Sequence, residues 1–187
     1  YYFIRSFNPS RVIEIGGGHS SKIINAALLS NKSEGSNNEH IIIEPYENPW
    51  LDSLSSRIVR EPVQELDLTF FSQLTENDVL FIDSSHVISS QNDCVFEYTE
   101  ILPILNSGVI IHVHDIFSPF EYPNEWIEEK YFNWAEQYLL ESILLNSDKF
   151  QILAPLNWLS KDTKKFSKIC PYFKESRNPG SFWIKKL

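Results

Sequence analysis

Five short apolar runs, each closing on polar or acidic residues, constrain this chain more than any other feature. They are RVIEI (11–15), HIIIEPY (40–46), RIVREPVQE (57–65), DVLFIDSSH (78–86) and GVIIHVHDI (108–116). Runs of this length, rich in Ile and Val, read as strands buried on both faces. Helical spacing intervenes in SSKIINAALLS (20–30), where Ile23, Ile24, Ala27 and Leu28 are the apolar positions. NPWLDSLSS (48–56), with Pro49 in its first turn, and DLTFFSQL (67–74) read as short helices. NDCVFEYTEILPILNS (92–107) is a longer one that Pro103 should bend or shorten, and YFNWAEQYLLESILL (131–145) is another. KFQILAP (149–155) and GSFWIKKL (180–187) complete seven strands, with an irregular basic stretch between them. Strands alternating with helices predict one doubly wound α/β domain over 1–187, its mostly parallel sheet covered on both faces.

Charge and composition exclude several classes. The net charge of −9 argues against nucleic-acid binding. No apolar run approaches the roughly 18 residues of a membrane span. From Lys161 to Leu187 the chain carries 8 Lys/Arg against 2 Asp/Glu, which reads as a solvated basic face. Cys94 and Cys170 form no ligand pattern, so we expect a reducing compartment, the cytoplasm. The chain starts on Tyr1 and contains no Met, which leads us to expect a missing N-terminal element.

In a doubly wound sheet ligands bind beyond the carboxyl ends of the strands. There the first strand runs into EIGGGHSS, Glu14 to Ser21. Three glycines before a helix N-terminus suggest backbone lying against a ligand. Glu44 ends the second strand, where an acid can accept both hydroxyls of a ribose. Together these point to a nucleoside-containing cofactor. A dinucleotide loop wants G-x-G-x-x-G, but the register from Gly16 gives Gly16, Gly18 and Ser21.

Glu14, Gly16, Gly18 and Ser20 resemble instead the first motif of class I S-adenosylmethionine-dependent methyltransferases. IIIEPY resembles their second motif. DVLFIDSSH followed by EILPILNSGVIIHVHDI resembles the strand-four to strand-five segment of the catechol- and macrocin-type O-methyltransferases, and GSFWIKK their antiparallel last strand. The resemblance covers roughly residues 8–155 and 180–187 and implies a Rossmann-like fold. It implies that the loop Gly16, Gly17, Gly18, His19 and Ser20 holds the methionine part of S-adenosylmethionine, with Glu14 orienting its amino group. It implies Glu44 on the ribose, Pro62 to Gln64 beside the adenine, and Asp83 and Ser84 near the methyl donor. It also implies a divalent cation, Mg²⁺, held by Asp83 and Asp115; the usual third ligand position is Ile116 here, which His86 or His114 could replace.

The chemistry then needs an aligned acceptor and a base for its proton. Asp83, His86, His114 and Asp115 are the candidates, while His112 lies well inside its strand and reads as a core histidine. Eight aromatics crowd into 117–138, read as a lid or substrate wall for Phe120, Tyr122 and Trp126. The expected function is O-methylation of a small-molecule hydroxyl, with neither nucleic acid nor membrane as partner and a homo-oligomer left open. The rivals are an NAD-dependent oxidoreductase and a non-catalytic methyltransferase-like binding module.

Overall fold

The computed structural model describes residues 1–187. A short helix α1 (Tyr2–Phe7) leads into β1 (Arg11–Ile15), α2 (His19–Ser33) and β2 (Glu39–Ile43). Then come β3 (Arg57–Val59), α3 (Thr69–Ser72) and β4 (Val79–Ile82). A continuous helical stretch follows: α4 (Asp93–Phe96), a π-helical segment (Glu97–Ile101) and α5 (Leu102–Ile104). It is succeeded by β5 (Ile110–His114), α6 (Glu136–Leu145) and β6 (Phe150–Pro155). Helices α7 (Leu156–Leu159) and α8 (Thr163–Ile169) precede β7 (Ser181–Lys186). No helix is long and apolar enough to cross a membrane.

The strands form one sheet in the order β3-β2-β1-β4-β5-β7-β6, with β7 antiparallel to both neighbours. This is the expected doubly wound, mostly parallel arrangement. One face buries a cluster of 21 residues and the other a cluster of 10, so both faces are covered. On the smaller side Ile24, Ala27 and Leu28 of α2 pack on Val12, Val79, Phe81 and Trp183. Ile23, counted with them from the spacing, is 51% exposed instead.

Several elements differ from the sequence expectation, each for a local reason. Pro103 lacks the N–H that would close its turn, and the segment before it widens into a π-helix instead of stopping. The helix expected from Tyr131 begins only at Glu136. The stretch after β6, expected to be irregular, holds α7 and α8; the side chain of Asp162 accepts from the Lys165 N–H and caps α8. Leu51–Ser53 forms only a 3₁₀ turn.

Candidate active site

The pairing register decides which residues meet. Ile15 is level with Ile43 and Ile82, and Ile82 with Val113. The next residue of each strand therefore forms a row along the sheet edge: Glu44, Gly16, Asp83 and His114. Cross-strand bonds tie this row together, with Gly16 N donating to Ile43 O at 3.0 Å and Asp83 N to Ile15 O at 2.9 Å.

The glycine loop is shaped first by the protein itself. Gly16 has φ +87°, and a Cβ there would lie 1.8 Å from the Asp83 carbonyl oxygen. A Cβ on Gly17 would press on Leu51, Ile42 and Glu44 at 2.8 to 3.2 Å. Only Gly18 has open space beside it, its nearest neighbour being Ser20 Oγ at 3.9 Å. Nor are the glycine N–H groups free: Gly16 N reaches Ile43 O, Gly17 N reaches Glu44 Oε2 and Gly18 N reaches Ser21 Oγ. The free donors at this end are the N–H groups of His19 and Ser20 at the start of α2, since Ser21 N already donates to Gly18 O.

Glu14, expected to orient the amino group of the methionine part, is held within the protein. It has no exposed surface. Ser20 Oγ donates to its Oε1 at 2.6 Å and His40 Nε2 to its Oε2 at 3.0 Å. Ser56 in turn donates to His40 Nδ1 at 2.8 Å. Glu14 is thus a buried acid that braces the loop through Ser20.

Two cavities open at the sheet edge. The first, about 410 Å³, is lined by Gly16, Glu44, Tyr46, Pro62, Gln64, Asp83 and Ser84 among others. The second, about 470 Å³ and more apolar, is lined by Tyr1, Ile4, His19, Ser20, Ile23, Phe81, Asp83, His112, His114 and Trp183 among others. Asp83 lines both. Of the residues expected around the cofactor, Gly16, Glu44, Gln64, Asp83 and Ser84 line the first cavity, whereas His19 and Ser20 line the second. Neither cavity is lined by the aromatic segment 117–138. Tyr122, expected in a lid, is buried and its hydroxyl accepts from Gln137 N; Phe120 is exposed.

The four expected catalytic residues do come together. His86 Nε2 lies 3.5 Å from Asp83 Oδ1 and 3.9 Å from Asp115 Oδ2. His114 Nε2 lies 3.6 Å from Asp115 Oδ1. Both His86 (φ +60°) and Asp115 (φ +53°) sit in the left-handed region, a strained conformation that gathers at functional sites. Burial pulls the His86 pKa down, but the bonded carboxylates of Asp83 and Glu136 outweigh it and carry it up to about 10. Burial raises the Asp115 carboxyl, with nearby Asp83 adding to it and His114 and His86 opposing. His112 is a core histidine as expected: its ring stacks on Phe81 at 3.9 Å, its Nε2 meets Ser181 Oγ at 2.9 Å, and burial holds its pKa well down.

Sequence reading missed Glu136 and Tyr98. Glu136 Oε2 accepts from His86 Nδ1 at 2.7 Å, and Tyr98 OH donates to Glu136 Oε1 at 2.9 Å. Glu136 stands 50 residues from His86 and looks like any helix-surface acid. No sequence signal marked it, because the helix read from Tyr131 begins only at Glu136 in the structure.

A family model described as a methyltransferase domain matches residues 13–116, from β1 through the end of β5. The chain belongs to this methyltransferase family. A protein of Archaeoglobus fulgidus described as uncharacterized is 35% identical over 82 residues, covering 41% of this chain and 36% of its own length. The match thus spans well under half of that relative. Among solved structures, CmcI-N160 in its apo form covers all of this chain and 69% of its own, with TM-score 0.54 and 12% identity. A structure described as cmcI-D160 with Mg and SAM gives TM-score 0.50 and 16% identity over the same shares. At these identities the likeness is one of fold. The family and the sheet order meet the expectation of a class I methyltransferase.

Proposed function

We propose that this chain transfers the methyl group of S-adenosylmethionine to a hydroxyl of a small molecule. The observation that carries the reading is that Asp83 lines both cavities and His114 the second, with His86 3.5 Å from Asp83 and Asp115 3.6 Å from His114 just behind them. The residues of the first cavity fit the cofactor. Glu44 is half-exposed and receives only Gly17 N and Tyr46 N, which leaves lone pairs for ribose hydroxyls. Pro62 to Gln64 would border the adenine, and His19 and Ser20 at the start of α2, which line the second cavity, would offer their N–H groups to the carboxylate of the methionine part. S-adenosylmethionine, when bound, supplies an activated methyl; the chain must align the acceptor, exclude water and take one proton.

In that transfer the methyl carbon leaves sulfur and bonds to the acceptor oxygen, and the hydroxyl proton passes to the protein. Asp115 is the better acceptor of that proton, because burial raises its basicity. His86, charged near neutral pH, steadies the two carboxylates it faces. The apolar walls of the second cavity, Ile4, Phe81 and Trp183, suit a largely apolar acceptor.

For Mg²⁺ the site offers two carboxylates and no third protein oxygen. Mg²⁺ wants near-octahedral oxygen ligands. Asp83 and Asp115 offer carboxylates, but Ile116 has no exposed surface and the imidazole of His86 takes the place between the acids. Two carboxylates with one imidazole suit Mn²⁺, Fe²⁺ or Zn²⁺ better.

The test is ligand-induced stabilisation. S-adenosylhomocysteine at a hundred times its Kd should add about 2.7 kcal/mol, or roughly 5–10 °C in Tm, and NAD should add nothing. Stabilisation by NAD alone would replace this reading with the oxidoreductase one. Asp115→Asn should keep S-adenosylhomocysteine binding and lose transfer of labelled methyl to hydroxyl acceptors; retained transfer would move the base elsewhere.

A further inference from the structure

We propose that Glu136 is a positioning residue for His86, and that it ties the site to the aromatic segment before α6. The proposal rests on the methyl-transfer reading above for the role of His86, but its geometry stands apart from the cofactor. His86 leaves β4 in a left-handed conformation that an isolated histidine disfavours, so something must hold it there. Residues 134–136 hold its carbonyl and the back of its ring, with Glu136 N also reaching the carbonyl at 3.4 Å. Ala135 N donates to the His86 carbonyl at 3.0 Å. The Trp134 ring lies against the imidazole with centroids 4.4 Å apart. The Glu136 carboxylate accepts from Nδ1 at 2.7 Å.

Glu136 is itself immobilised. It is 1% exposed, and its second oxygen is taken by Tyr98 from the π-helical segment. A buried charge-assisted bond is strong and directional. With Nδ1 fixed, the ring can present only Nε2 to Asp83 and Asp115, at 3.5 and 3.9 Å. This is the arrangement in which a carboxylate behind a histidine sets which nitrogen works in front. Phe132 stacks on Trp134 at 4.6 Å and Trp126 meets Trp134 edge-on at 5.0 Å. The aromatic segment, which lines neither cavity, therefore bears on the site from behind, as a brace for His86.

The experiment is NMR of the ¹⁵N-labelled full chain with S-adenosylhomocysteine. In the wild type the Nδ1 proton of His86 should appear downfield of the amide protons and exchange slowly with water, identified by its loss in His86→Asn. Glu136→Gln keeps an acceptor but removes the charge; the resonance should move upfield and exchange faster while S-adenosylhomocysteine affinity stays unchanged. Tyr98→Phe should leave the resonance in place and speed its exchange. Absence of the resonance in the wild type, or an unchanged resonance in Glu136→Gln, overturns the proposal. Should Glu136→Gln fail to fold, unchanged exchange in Tyr98→Phe overturns it. Failure of the wild type to bind S-adenosylhomocysteine would instead sink the methyl-donor reading, and the resonance would still decide the role of Glu136.

Discussion

Substituting the three consecutive glycines one at a time separates what the fold requires from what a ligand requires. At Gly16 an alanine meets two penalties. The left-handed backbone, φ +87°, costs an L-residue about 1–2 kcal/mol. The new methyl would sit 1.8 Å from the Asp83 carbonyl oxygen, backbone that cannot swing aside, so β1 and β4 must part locally. Strain of that kind costs typically 1–3 kcal/mol. Together the loss is about 2–5 kcal/mol, against a typical total stability of about 5–15. For a chain of this size that lowers Tm by roughly 5–15 °C. At Gly18 an alanine finds nothing closer than 3.9 Å and an extended backbone, so Tm should move by no more than about 1–2 °C. Its methyl instead enters the loop at the mouth of α2, and Gly18→Val should weaken S-adenosylhomocysteine binding with the fold intact. Thermal melts followed by circular dichroism, with and without S-adenosylhomocysteine, read both quantities. A Gly16→Ala protein melting like wild type would refute the claim that Asp83 dictates that glycine.

Glu44→Ala removes the acceptor of two backbone N–H groups and the proposed acceptor of the ribose; calorimetry should show S-adenosylhomocysteine affinity falling about 10–100-fold with little change in Tm. Burial and His114 hold the folded His112 pKa well below its ordinary 6.5, so its stabilising share is full above that pH and lost as pH falls below it. His112→Phe should therefore lose less stability than wild type on going from pH 7.5 to 5, by up to about 1.4 kcal/mol per pH unit below 6.5. A pH-independent gap between the two urea-denaturation curves would contradict this. Burial also raises the Cys94 thiol, so a thiol reagent should titrate Cys170 alone in the native protein and both cysteines in guanidinium.

The strands were legible because buried parallel strands need unbroken apolar runs, and turns after them need polar residues. Gly16, Glu44 and Asp83 of the edge row could be read from where each run ends, but on the fifth strand the expected tip was Asp115 and the register makes it His114. The purpose of the glycines could not. From the sequence all three looked like backbone opened for a ligand, yet Gly16 and Gly17 make room for Asp83, Ile42 and Leu51. Glu14 shows a related limit of spacing: it names a motif, but it does not report that both oxygens already bond inside the protein. The aromatic segment was legible as a cluster and not as a wall, because which side of the site it meets depends on how α6 docks.

Local pattern alone thus determined the order of elements, the doubly wound sheet and the strand ends that carry polar chemistry, since these follow from periodicity and burial along a few residues. Only the tertiary structure decided which polar groups were consumed by the fold and which remained free. That allocation depends on distances between residues far apart in the chain, as with Glu136 and His86, 50 positions away and 2.7 Å apart. A hydrogen bond is short and directional, so no linear spacing can announce it.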